Sequence, residues 1–383
     1  MTRAYLDHNA TSPLLPEARE AMVAALSVAG NASATHADGR AARRIIEGAR
    51  EVVAALVGAE ARCVTFTSGG SEAAATLLAP GFVGKAGQTG HRTLIVSAVE
   101  HSCVLAGGRF HPGAIRICPV GAGGAVDLAA LERLLDDSPG PALVSVMAAN
   151  NETGVVQPLD AVRRLCVAHG ASLVVDAVQA LGKLPLDLWT LGADAIFVSA
   201  HKIGGPQGVG AIIRGAETVD IERLVRGGGQ EGRFRAGTEN LVGIAGFGAA
   251  AKVAAASIDA EMQRLGALRD WLEGQIVTIS GQSRVVGLPA ERLANTSLTV
   301  HPGLDGETTV IALDLAGVSV STGSACSSGK VAPSHVLAAM GLEGAEAKSA
   351  LRVTLGWSTS REDVERFVTA FSAHAGKVAA RAA

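Results

Sequence analysis

Five short apolar runs recur between Glu17 and Ala250, separated by stretches of helical period: Val64-Thr65-Phe66, Thr93-Leu94-Ile95-Val96, Ala142-Leu143-Val144-Ser145-Val146, Leu173-Val174-Val175 and Ala195-Ile196-Phe197-Val198. Runs this short and this continuously apolar are strands covered on both faces. A mostly parallel sheet with helices packed on either side buries them in that way. The spacing predicts helices from Asp127 to Leu135 and from Leu159 to Val167, with His169-Gly170 as the stop signal of the second. The sequence therefore reads as α/β. With 383 residues there is ample chain for a sizeable core and more than one domain.

After Ala251 the rhythm changes. A long helical stretch runs to Ile279, followed by an apolar strand at Ser297-Leu298-Thr299-Val300 and a Gly/Ser-rich loop over 321–333. A strand at Leu351-Arg352-Val353-Thr354-Leu355 and a helix from Arg361 close the chain. This predicts a large α/β domain over 16–255 and a smaller α+β domain made of 1–15 and 256–383.

Composition removes several classes. A net charge of −3 with 8 Phe, 3 Trp and 1 Tyr offers neither a basic stripe nor stacking platforms, so nucleic acid is not an expected partner. The long uncharged stretches are broken by Gly, Pro and Ser, so no membrane span is expected. The first nine residues include Asp7 and lack an apolar leader core, which makes the cytoplasm the default address. The five cysteines, at 63, 103, 118, 166 and 326, contain no C-x-x-C pair, which argues against a disulfide framework and a structural metal.

In open α/β sheets ligands bind beyond the carboxyl ends of the strands, so the residues closing each run carry the chemistry. The first run is followed by Thr67-Ser68-Gly69-Gly70-Ser71-Glu72, which either caps a helix or offers amides and hydroxyls to a phosphate. The second ends in Glu100-His101, a histidine that is a catalyst or a structural hydrogen bonder. The third ends in Asn150-Asn151-Glu152, where a turn explains the Asn pair nearly as well as a substrate contact. The fourth ends in Asp176 with Gln179 three residues on, and a carboxylate at the mouth of a buried strand needs a cation or a donor. The fifth leads to Ser199-Ala200-His201-Lys202-Ile203-Gly204-Gly205, a lysine on a loop that glycines let approach a ligand. A Schiff-base lysine, an acid for a pyridine nitrogen, a Gly/Ser helix start for phosphate and a His over the ring are together what pyridoxal phosphate requires.

The chain resembles the NifS/IscS-type cysteine desulfurases, pyridoxal-phosphate enzymes of fold type I in the class V aminotransferase family. The matching stretches include Tyr5-Leu6-Asp7-His8-Asn9-Ala10-Thr11, Phe66-Thr67-Ser68-Gly69, Asn150-Asn151-Glu152-Thr153-Gly154, Asp176-Ala177-Val178-Gln179 and Ser199-Ala200-His201-Lys202. Further on come Gly227-Gly228-Gly229-Gln230-Glu231, Arg235-Ala236-Gly237-Thr238-Glu239-Asn240, Ser324-Ala325-Cys326 and Leu351-Arg352-Val353-Thr354-Leu355-Gly356. The resemblance implies that Lys202 carries the cofactor, Asp176 meets its ring nitrogen, Gln179 its ring hydroxyl, and His101 stacks on the ring. It implies a phosphate site of Gly70, Ser71, Ser199 and His201, with Thr238 reaching in from a second subunit of a homodimer. Asn151 and Arg352 would hold the carboxylate of L-cysteine. Cys326, in a stretch too small and polar to pack, would take the substrate sulfur as a persulfide and pass it to an acceptor or iron–sulfur scaffold protein. No resident metal is implied, only transient cluster ligation at Cys326. Two departures stand out: Ser71-Glu72-Ala73-Ala74-Ala75 lacks the usual amide-bearing pair, and Gly30-Asn31-Ala32-Ser33-Ala34 lacks a usual proline. The rival readings are a class V aminotransferase, which has no use for Cys326, a selenocysteine or cysteine sulfinate lyase, and an inactive scaffold that binds sulfur acceptors.

Overall fold

A computed structural model describes residues 3–323 and 334–382. Its main sheet has seven strands in the spatial order Val64–Thr67, Gly210–Arg214, Ala195–Ser199, Ser172–Asp176, Ala142–Met147, Thr93–Ser97 and Ile115–Cys118. Gly210–Arg214 runs antiparallel to both of its neighbours and the remaining pairs are parallel, so the five predicted runs all point the same way. Every residue of those five strands is buried, which is why their sequence shows no alternation. Two strands escaped the sequence reading. Ile115–Cys118 is an edge strand with Arg116 and Ile117 exposed, and Gly210–Arg214 starts with a glycine and ends in a buried arginine.

A second core gathers Leu6, Leu272, Leu313, Val353, Phe367 and Phe371. It is built on the antiparallel strands Ala350–Thr354, Thr296–Val300 and Arg284–Val285, with Ala4–Tyr5 pairing Val318–Ser319 beside them. The first residues of the chain thus belong to the packing of the last hundred.

One helix, Leu241–Ile279, serves both cores and runs straight through position 255. By length and composition it is apolar enough to cross a membrane, although Gly, Ser and Lys252 interrupt its apolar residues, and core helices share this composition. Its Leu, Val, Ile and Phe residues supply most of the hydropathy, and its Gly and Ala residues let it pack closely on the helices Pro16–Leu26 and Ala37–Leu56. A Cβ on Gly248 would stand 2.7 Å from the Ala49 Cβ, and one on Gly246 would stand 2.7 Å from Met22. Gly248→Ala is therefore expected to destabilise by about 1–3 kcal/mol through overpacking. Thermal unfolding reads this as a lowered midpoint, and an unchanged midpoint would show that the two helices separate freely.

Candidate active site

The parallel strands bring their carboxyl ends to one edge of the sheet, and the polar residues beyond them meet there. Asp176 ends its strand buried, with Oδ1 accepting the Val178 N–H at 2.8 Å. Among the described residues it forms no ion pair. Burial pushes its carboxyl up to about 6, against the pull of the Val178 amide and the charge of Lys202. One strand over, Ser199 leads into the turn Ala200–Lys202. There the Lys202 Nζ donates to the carbonyls of Asn9, at 2.6 Å, and Ala10, at 2.9 Å. The His201 Nδ1 lies 3.2 Å from the Thr11 hydroxyl, and burial beside Lys202 and Lys183 brings this ring down to about 4, so it is neutral at pH 7.

His101 caps the short helix Ser102–Leu105. Its Nδ1 accepts the Cys103 N–H at 3.2 Å and lies 3.0 Å from the Cys103 sulfur. A nitrogen that accepts carries no proton, so the neutral ring holds its proton on Nε2. Burial first, then Lys202 and His335, lowers the His101 pKa and favours that neutral form. Burial also drives the Cys103 thiol up to about 12, with the Asp176 carboxylate adding to it, so Cys103 stays protonated.

At the first strand, the helix Gly70–Leu77 starts with no side chain capping it, which leaves its first amides for a ligand. A Cβ on Gly70 would press on Val178 at 3.2 Å, so the glycine permits the close approach of helix and strand end. Of the two positions that lack the amide-bearing pair, Ala74 is fully buried and Ala75 half-buried. The retained Glu72 accepts the Ser68 N–H and pairs with Arg235 at 3.0 Å.

The Asn pair divides its work. Asn150 makes the turn, its Oδ1 accepting the amides of Glu152 and Thr153, each at 2.9 Å. Asn151 lines the cavity, and its carbonyl accepts from Asn9 and from Arg352, each at 3.1 Å. Arg352 is 2% exposed and donates to Asp7 at 2.8 Å and to the Gly323 carbonyl at 3.4 Å, while its Nε has no partner. Gln179 donates Nε2–H to the Asn9 carbonyl at 3.0 Å, and its Oε1 accepts from the Lys183 Nζ at 2.7 Å.

Gly70, Ser71, His101, Asn151, Asp176, Gln179, Ser199, His201, Lys202 and Arg352 thus line one cavity of about 330 Å³. Thr238 is not among them. It is exposed, in a separate groove with Ser68 and Arg235. Cys326 lies outside the described residues. The sequence reading missed Cys103 in the cavity wall, Asp7 behind Arg352 and Lys183 behind Gln179. It took Asn9 only as part of a resembling stretch. Nothing local in the sequence marks Lys183; Cys103, two residues after His101, was legible as a helix-start neighbour.

A profile of the class V aminotransferases matches residues 4–367. The chain belongs to that family. Among its relatives in this class V aminotransferase group, a cysteine desulfurase of Cereibacter sphaeroides is 42% identical over 96% of this chain and 94% of that protein. An IscS-like cysteine desulfurase of Mycobacterium tuberculosis is 39% identical over 94% of this chain and 93% of its own. The structure of a NifS-like protein from Rickettsia africae superposes with a TM-score of 0.87 at 33% identity, covering 97% of this chain and 99% of that one. Class V aminotransferases of this kind are pyridoxal-phosphate enzymes, and the cavity fits the group. Asp176 is a buried carboxylate whose raised pKa a cationic ring nitrogen would bring back down. The uncapped helix start, the hydroxyls of Ser71 and Ser199 and the His201 ring suit a phosphate. Lys202 supplies the amine between them.

Proposed function

We propose that this class V aminotransferase is a cysteine desulfurase that converts L-cysteine to L-alanine and takes the sulfur onto Cys326 as a persulfide. The observation that carries the reading is how the chain is held on either side of Cys326. The Gly323 carbonyl accepts from Arg352, and Ser334 donates to Glu152, the neighbour of Asn151. Both described residues that flank the 324–333 segment are thus bonded at the cavity, and Cys326 is the cysteine of that segment. Relatives near 40% identity across almost the whole chain support the same reading over a transaminase.

Arg352 and Asn151 bind the amino-acid carboxylate, the guanidinium sharing itself between that group and Asp7. When bound, pyridoxal phosphate draws electron density away from the substrate carbons. Asp176 holds the charge of the ring nitrogen. Lys202 moves protons at Nζ, and His101 holds one at Nε2. The Cys326 thiolate forms a bond to the substrate sulfur as the Cβ–S bond breaks, and the electron pair left at carbon is protonated to give alanine.

The persulfide would be handed to a sulfur-acceptor or iron–sulfur scaffold protein. The enzyme works as a homodimer in this reading, with Thr238 completing the partner's phosphate site. That is supported by a loop that is exposed at Thr238 yet anchored at its root. Glu231, at φ 47°, forms a buried pair with Arg50 at 2.7 Å and accepts the Phe66 N–H at 2.8 Å. The cytoplasm, where thiols stay reduced, suits the four described cysteines, all of them unpaired.

The deciding experiment is peptide mass mapping after brief anaerobic exposure to L-cysteine. The reading expects one added sulfur on the Cys326 peptide and alanine in solution; a keto acid with no added sulfur would overturn it in favour of transamination. Arg352→Ala is expected to raise KM for L-cysteine on the order of 10²- to 10³-fold, because a buried charge pair is lost. An unchanged KM in steady-state kinetics would assign the carboxylate to another cation.

A further inference from the structure

Lys183 is a buried lysine with no acid beside it. Its Nζ donates to the Gln179 Oε1 at 2.7 Å and to the Asn9 Oδ1 at 3.1 Å, both neutral acceptors, and among the described residues it forms no ion pair. Burial first, then the charges of Lys202 and Arg352, bring its pKa down to about 7, so it is about half ammonium at pH 7 and an anion in the cavity would favour that form. A neighbourhood this rich in cations favours an anion in the adjoining cavity.

Gln179 connects the two. A side-chain amide has one acceptor end and one donor end, and which end points where is decided by its partners. Here the oxygen is taken by Lys183, and one amide hydrogen goes to the Asn9 carbonyl at 3.0 Å. Turning the amide over would set its NH₂ against the Lys183 ammonium, donor against donor. The end that Gln179 offers the cavity is therefore its second N–H, and the cation on the oxygen side strengthens that donor.

We propose that Lys183 is a positioning residue whose buried ammonium locks Gln179 as a hydrogen-bond donor, so that the site selects a ring bearing an anionic oxygen. The inference rests on the pyridoxal-phosphate reading, in which that oxygen is the ring hydroxyl.

The test uses the full chain freed of cofactor, titrated with pyridoxal phosphate and with its analogue lacking the ring hydroxyl, 3-deoxypyridoxal phosphate. The wild type is expected to prefer the natural cofactor. Lys183→Met is expected to weaken pyridoxal phosphate about 10- to 100-fold, the worth of a charge-assisted hydrogen bond, and to leave the analogue's affinity unchanged. An equal loss for both ligands, or no loss for either, overturns the proposal. Should Lys183→Met fail to fold, Gln179→Glu decides. It keeps Lys183 paired but presents an acceptor to the cavity, so it must weaken pyridoxal phosphate more than the analogue, and equal weakening again overturns the proposal. A wild type that binds neither ligand and takes no borohydride label at Lys202 overturns the cofactor reading, and this inference with it.

Discussion

Replacing Cys326 by alanine is expected to leave cofactor binding intact and to abolish sulfur transfer, with turnover of L-cysteine falling by about 10³-fold or more. The size of the effect follows from the other thiols. Cys103 lines the same cavity, but burial holds its pKa at about 12. At pH 7 only about one part in 10⁵ of it is thiolate, the form that attacks sulfur. Cys118 and Cys166 are buried and pushed up to about 12 as well. None of these can stand in for Cys326. Alanine production by the variant at the wild-type rate, or an added sulfur mapped to Cys103, would remove Cys326 from the mechanism.

Lys202→Ala is expected to lose both turnover and the borohydride-trapped cofactor label, since no other primary amine in the site has Lys202's place. Among the described residues, Lys183 is the other lysine near the cavity, and it is committed to Gln179 and Asn9. The variant also leaves the Asn9 and Ala10 carbonyls short of a donor, a cost of about 1–3 kcal/mol, so a lowered melting temperature should accompany the lost label. Thermal unfolding separates that cost from collapse of the fold. A label that persists in the variant would show that a different amine carries the cofactor.

The sheet was legible because its strands are buried on both faces and so read as unbroken apolar runs. The residues closing those runs then pointed to one edge, where Asp176, Ser199, His101 and Asn151 do meet. Ile115–Cys118 and Gly210–Arg214 were not legible, because edge position in the first and the terminal Gly210 and Arg214 in the second break the apolar run. Asn150 and Asn151 could not be told apart in sequence; only the turn geometry assigns one to the backbone and the other to the cavity. Asp7 behind Arg352 and Lys183 behind Gln179 depend on side-chain meetings between distant segments, which no local pattern encodes. The long helix was legible to its end at Ile279, but its close approach to Ala49 and Met22 through Gly248 and Gly246 depends on distant segments.

The segment from Asp7 to Thr11 threads between the two cores and is bonded to Asn151, Gln179, His201, Lys202 and Arg352 of the site. Asn9 alone meets Lys183, Lys202, Gln179, Asn151, Asn295 and Thr296, and Asp7 pairs with a residue 345 positions away. During synthesis these residues are made long before their partners at 296 and 352. The cavity wall that joins Asp7 to Arg352 therefore closes only after residue 352 is made, and a chain cut before it carries every strand of the main sheet without a finished site.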